Sequence, residues 1–220
     1  MDVNSDFDQR VVLHTEQIPW ESSPMAGVAR RRLDRVCGDN ERVTTVVRYA
    51  PGSSFSSHVH TGGEEFIVLE GIFEDDYGNW PAGSYIRNPP QSSHTPSSKL
   101  GCVIMVKLGQ FHPDDRTFVH AHIDKLGAVK DADRPNVKVS PLYRDAREEV
   151  SVELWQAGTV VPLDTVGGVE VFVLEGEFTE DADTLQRHSW LRLPPGEAVN
   201  VTAGPAGARV WIKRGHLLNL

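Results

Sequence analysis

The chain repeats itself. GGEEFIVLEGIFEDD at residues 62–76 matches GGVEVFVLEGEFTED at 167–181 under a shift of 105 residues. The same shift carries Ser84 onto Ser189, Arg87 onto Arg192, and Pro89-Pro90 onto Pro194-Pro195. A register held across about thirty residues, turn residues included, implies two copies of one fold in tandem.

Both copies read as strands. VTTVVRYA, EFIVLEGIF, SYIRNPP and CVIMVKLGQF in the first, and EEVSVELWQAG, VEVFVLEGEF, HSWLRLPPG and GARVWIKRG in the second, are rich in β-branched and aromatic residues. Gly, Pro, Asn and Ser turns separate them. No long stretch repeats with the helical period. Residues 112–135 read as the connection, which divides the chain into a first domain at 1–120 and a second at 121–220. The fold class expected is all-β, two jelly-roll barrels in tandem.

The 220 residues are 39% hydrophobic, enough for a folded core, and carry a net charge of −9. That balance excludes nucleic acid as a direct partner, because phosphate binding needs clustered cations. The one basic run, Arg30-Arg31-Arg32, reads as the polar face of a strand. No stretch approaches the roughly 20 apolar residues of a membrane helix. The polar, acidic start is not a signal peptide, so no membrane partner is expected and the cytoplasm is the expected location. Cys37 and Cys102 form no CxxC pair and read as packed or reduced thiols.

The chemistry concentrates in the first copy. Gly52, five residues, His58-x-His60, three residues, Glu64, six residues, Gly71 is followed by Gly83, five residues, Pro89, four residues, His94. Alternation along a strand points His58 and His60 the same way. The Thr61-Gly62-Gly63 turn lets Glu64 return to that face, and His94 comes from a later strand. Three neutral imidazoles and one carboxylate suit a borderline divalent ion: Zn, Fe, Mn or Ni. Under the 105 shift these four fall on Leu163, Thr165, Val169 and Val199. A matched scaffold with lost ligands implies that the four serve chemistry and not the fold, and that the second copy is metal-free.

Other histidines read as structural. His120-Ala121-His122 has no Glu at a suitable distance and reads as a solvated edge or turn, and His14, His112, His188 and His216 stand singly. Trp80, Trp155, Trp190 and Trp211 read as packing residues. Glu65, Tyr85 and Arg87 stand out as partners able to orient a ligand from behind.

These two motifs resemble those of the cupin superfamily, with Gln91 where the second motif often has Gly and Ser98 where it often has Asn. The run GGEE-x-x-VLEG-x-F, then PAG-x-Y-x-RNPP-x-SSH-x-P, looks more specifically like the cupin half of ChrR-type anti-sigma factors. That resemblance is strong over residues 52–108. It implies a bicupin fold, zinc as the metal, and His58, His60, Glu64 and His94 as its ligands. It further implies a stress-responsive regulatory or sensing module whose partner is a sigma factor or another regulatory protein. The HxxxCxxC-like signature of the sigma-gripping helical part is not found; only His14 and Cys37 precede the first barrel's strands. The alternative reading is a metal-dependent dioxygenase or isomerase, with a small-molecule ligand in the first barrel. A homodimer through a barrel edge is also expected.

Overall fold

Short β-branched runs between tight turns favour a pleated, half-buried surface over a helix. The computed structural model describes residues 1–38 and 41–218. Among them the one helical element is a single turn, Thr15–Gln17, so the chain is all-β as expected.

The chain divides into two units, one made of Met1–Ser5 and Ile18–Lys125, the other of Asp6–Gln17 and Leu126–Leu220. This differs from the boundary expected at residue 120, and edge strands explain the difference. Val119–His122 pairs with Ser84–Asn88 in the first unit. Val11–His14, more than a hundred residues earlier, takes the equivalent place beside Ser189–Leu193 in the second. The second unit is therefore closed by a segment from the start of the chain, and the first by one that straddles residue 120.

Within the first unit the strands run antiparallel in the order Val119–His122, Ser84–Asn88, Glu64–Asp75, Cys102–Leu108, Arg42–Tyr49, Val28–Val36, Glu21–Ser22. Within the second the order is Val11–His14, Ser189–Leu193, Val169–Glu180, Val199–Arg214, Glu149–Trp155, Val137–Arg144, Val129–Lys130. Position by position the two orders agree, as the repeat requires. The long central strand bends at a glycine in both. Gly71 and Gly176 each have φ +71°, and a Cβ there would lie 2.0 Å from the Gly101 carbonyl oxygen and 2.1 Å from that of Gly207, respectively.

Pleat alternation sorts the side chains. In the first unit Val47, Tyr49, Phe66, Val68, Phe73, Ile86, Ile104 and Val106 form the apolar core. The opposite face of the same strands buries charge. Tyr85 donates to Glu65, Arg87 pairs with Asp115 at 2.6 Å, and Lys107 donates to Thr44 at 2.8 Å. The second unit repeats this face, with Trp190 donating to Glu170 at 3.1 Å and Lys213 paired with Glu148 at 3.0 Å. Its core is wholly apolar, from Leu163, Val169, Phe178, Leu185 and Leu191 to Ile212. The buried polar face is common to both units, while Leu163, Val169 and Val199 stand in the second where His58, Glu64 and His94 stand in the first. Trp155, Trp190 and Trp211 are buried as expected, but Trp80 is only half-buried.

Candidate metal centre

A two-strand ribbon carries the histidines. His58–His60 pairs with Ser92–His94 so that His94 lies opposite His58 and Ser92 opposite His60. Glu64 opens the long Glu64–Asp75 strand directly after Gly63, whose φ of +77° makes the return turn. Gln91, where a glycine is common in the resembling motif, adopts φ +71°, a left-handed conformation that costs a non-glycine residue energy.

The expected convergence occurs. His58, His60 and His94 offer ring nitrogens that all lie within 4.8 Å of one another. The Nε2 atoms of His60 and His94 are 2.9 Å apart, and Glu64 Oε2 is 3.4 Å from each. His60, Glu64 and His94 are buried, while His58 is half-buried. The floor is aromatic: Phe73 lies 6.0 Å from His94 and 4.7 Å from Phe66, and Tyr49 packs edge-on to Phe73.

Partners behind the ligands fix which nitrogen is bare. His94 Nδ1 lies 3.0 Å from Asp75 Oδ2, and His58 Nδ1 lies 3.0 Å from the Ser56 carbonyl oxygen. An acceptor at Nδ1 holds the proton there and leaves Nε2 as the ligand atom. Asn88 donates to Glu64 Oε2 at 3.2 Å. This donor set fits a divalent cation: nitrogen and oxygen donors, directed inward and braced from outside.

The electrostatics divide the ligands. Burial, helped by its His94 and His58 neighbours, pushes His60 down to about 3, which keeps it neutral and ready to ligate. Burial lifts Glu64 to about 6, against the opposing pull of His94 and the Asn88 hydrogen bond. For Asp75, burial pulls upward, but hydrogen bonds from His94, Trp80 and the Tyr77 amide outweigh it and hold the carboxyl low. For His94, burial pulls downward, but Asp75 and Glu64 prevail and its value rises. A cation at the centre would favour the ionised carboxylate and displace protons from the imidazoles.

Some partners differ from those expected. Glu65, Tyr85 and Arg87 lie on the far face of the strands and orient no ligand. Glu64 pairs with Asn88 and Phe66 with Ile86, so the odd positions between them face away. The residues that do brace the site, Asp75 and Asn88, were not singled out by the sequence reading. The remaining histidines bind locally. His120 packs at a tilt against Trp80, ring centres 4.8 Å apart, His122 and His112 accept backbone hydrogen bonds, His14 meets Ser189 at 3.0 Å, and His216 bonds Glu170 at 2.8 Å. His188 lies 3.3 Å from Glu16.

Residues 8–112 match the ChrR cupin-like domain family. Over those residues the chain is similar to the ChrR-type cupin domain. Solved structures extend the likeness in fold over both units. A candidate dioxygenase of Nostoc punctiforme superposes with a TM-score of 0.80 at 14% identity, covering 96% of this chain and 84% of that one. The bacterial pirin YhhW of Escherichia coli, solved in complex with nickel(II), gives 0.68 at 14% identity, with 93% and 98% covered. YlbA of Escherichia coli gives 0.69 at 13% identity, with 94% and 91% covered. Identities this low show a shared fold. No protein of curated function matches the chain in sequence. No helix among the described residues is long and apolar enough to cross a membrane.

Proposed function

We propose that the first cupin unit holds one divalent cation through His58, His60, Glu64 and His94, zinc on the ChrR-type likeness, and that the protein is a metal-centred regulatory module. The carrying observation is the 2.9 Å approach of two buried imidazole nitrogens with one carboxylate oxygen 3.4 Å from both. When bound, a cation supplies a cross-link between the histidine ribbon and the central strand, and thereby folding free energy. The chain's own residues prepare it. Asp75 and the Ser56 carbonyl hold protons at the outer ring nitrogens, Asn88 steadies Glu64, and the phenylalanine floor excludes water. Loss of a ligand, by oxidation for example, would free the ribbon, and a sigma factor or other regulatory protein would read that change.

The test is elemental analysis of protein purified without added metal, then capture of sigma factors by metal-loaded and stripped protein. The expected result is one zinc per chain, absent from His60→Ala and His94→Ala, and capture that depends on the metal. Protein that neither carries nor takes up a divalent ion would overturn the metal reading; capture indifferent to metal would overturn the regulatory one.

A second reading is a metal-dependent dioxygenase or isomerase. The half-buried His58 favours it, because that side of the centre is open to a small molecule. Its support from relatives is the fold shared with the nickel-binding pirin and the candidate dioxygenase. Oxygen uptake by the iron-loaded protein with β-diketones or thiols would establish it.

A further inference from the structure

Asp75 is held at both of its carboxylate oxygens. Its side chain is 2% exposed. One oxygen, Oδ2, faces His94 Nδ1 at 3.0 Å. The other, Oδ1, accepts three hydrogen bonds: from the Tyr77 amide at 3.0 Å, the Gly78 amide at 3.1 Å and the Trp80 indole at 2.9 Å. The indole in turn packs at a tilt against His120, ring centres 4.8 Å apart, beside Tyr77 and Phe118, which are 55% and 52% exposed. A continuous series of contacts thus runs from the protein surface through Trp80 and Asp75 to a ring nitrogen of His94.

The metal-free copy supplies an internal comparison. Under the 105 shift Asp75 falls on Glu180, Trp80 on Leu185 and Asn88 on Leu193. Glu180 turns instead to Arg10, and Leu185 is wholly buried in an apolar core. Residues shaped by the fold alone survive the same shift: Gly71 as Gly176, Phe73 as Phe178, Glu65 as Glu170 and Arg87 as Arg192. The Asp75–Trp80 pair was therefore lost together with the ligands and not with the scaffold.

We propose that Asp75 and Trp80 are positioning residues for the metal centre: Trp80 locks Asp75, and Asp75 locks the tautomer and angle of His94, so ion affinity is set from the surface at Trp80. This rests on the reading of His94 as a ligand. A ligating imidazole whose outer N–H is held by a fixed carboxylate is a stronger, better-aimed donor, and loss of such a partner weakens metal binding by about 10- to 100-fold.

The experiment uses the full chain and cobalt(II), titrated against a chromophoric chelator, in wild type, Trp80→Phe, Asp75→Asn and Trp155→Phe. Trp155 makes a matching indole-to-carboxylate bond, to Glu153 at 2.7 Å, in the metal-free unit. Trp80→Phe and Asp75→Asn are expected to bind cobalt about 10- to 100-fold more weakly, with an altered visible cobalt band and an altered His94 ring-proton resonance. Trp155→Phe is expected to bind as wild type does. Thermal unfolding of stripped Trp80→Phe and Trp155→Phe should fall by similar amounts, since each leaves a buried carboxylate one donor short. Trp80→Phe affinity within about twofold of wild type, or an equal loss in Trp155→Phe, would overturn the proposal. Failure of wild type itself to bind cobalt would overturn the metal reading beneath it.

Discussion

Glu64→Gln separates the cost of a buried carboxylate from the use made of it. Glu64 is 6% exposed, and burial moves its carboxyl from 4.5 to about 6. That move corresponds to about 2 kcal/mol set against ionisation in the folded chain. The sign follows from the two states. Below pH 4.5 the group is neutral both folded and unfolded, and contributes nothing. Above pH 6 it is ionised in both, and the folded state bears the whole penalty. Metal-stripped wild type therefore loses about 2 kcal/mol through this group as the pH rises across that window. The glutamine amide can place its oxygen at the Oε2 position and accept from Asn88 there, with no charge to desolvate. In chelator at about pH 7.5 the variant should exceed wild type by about 2 kcal/mol, or roughly 5–10 °C in a thermal melt, and the two should converge near pH 4.5. Added metal should reverse the order. Wild type gains about 2.7 kcal/mol at a hundredfold excess over Kd, and the variant gains much less. A stripped variant less stable than wild type at pH 7.5, or one with an undiminished gain from metal, would refute the reasoning.

Further outcomes follow from other parts of the molecule. Glu153, fully buried between Arg134 and Arg214, has its carboxyl held low, since those arginines and Trp155 outweigh burial. Glu153→Ala should destabilise the second unit by about 3–5 kcal/mol in denaturant melts, a loss that shrinks as acid protonates the wild-type carboxyl. Gly71→Ala should destabilise far more than Gly52→Ala in the same melts, because both have positive φ but only Gly71 would drive a Cβ into a backbone oxygen. Cys102 is buried and its thiol is pushed up to about 11, burial outweighing the Ser98 hydrogen bond. Iodoacetamide at about pH 8 should therefore modify the exposed Cys37 first and reach Cys102 only on unfolding, as peptide mass mapping would reveal.

The central geometry was legible because it depends on local rules. Period-two alternation aims His58 and His60 together, and a positive-φ glycine returns Glu64 beside them. The repeat then marked which residues the fold could spare. The bracing residues were harder. Asp75 meets His94 only through a turn at 75–78 whose amides and indole close on one oxygen, and spacing along the chain does not express such a closure. Two signals lay unused. The shift that exposed Leu163 and Val199 also exposes Leu185 and Leu193, opposite Trp80 and Asn88. Parity counted from Glu64 would have turned Glu65, Tyr85 and Arg87 away from the centre and Asn88 toward it. The exchange of edge strands was not legible, since Val11–His14 and Val119–His122 are both four-residue segments with nothing local to choose between acceptors.

That exchange makes the duplication hard to undo. Severing the polypeptide at residue 120 would leave the first half holding a segment whose acceptor has gone, Val11–His14, and would halve its own border strand. The second half would begin with Ser189–Leu193 uncovered along one side. The second unit is bound to the first by inheritance, because its border strand, Val11–His14, is encoded on the far side of the join.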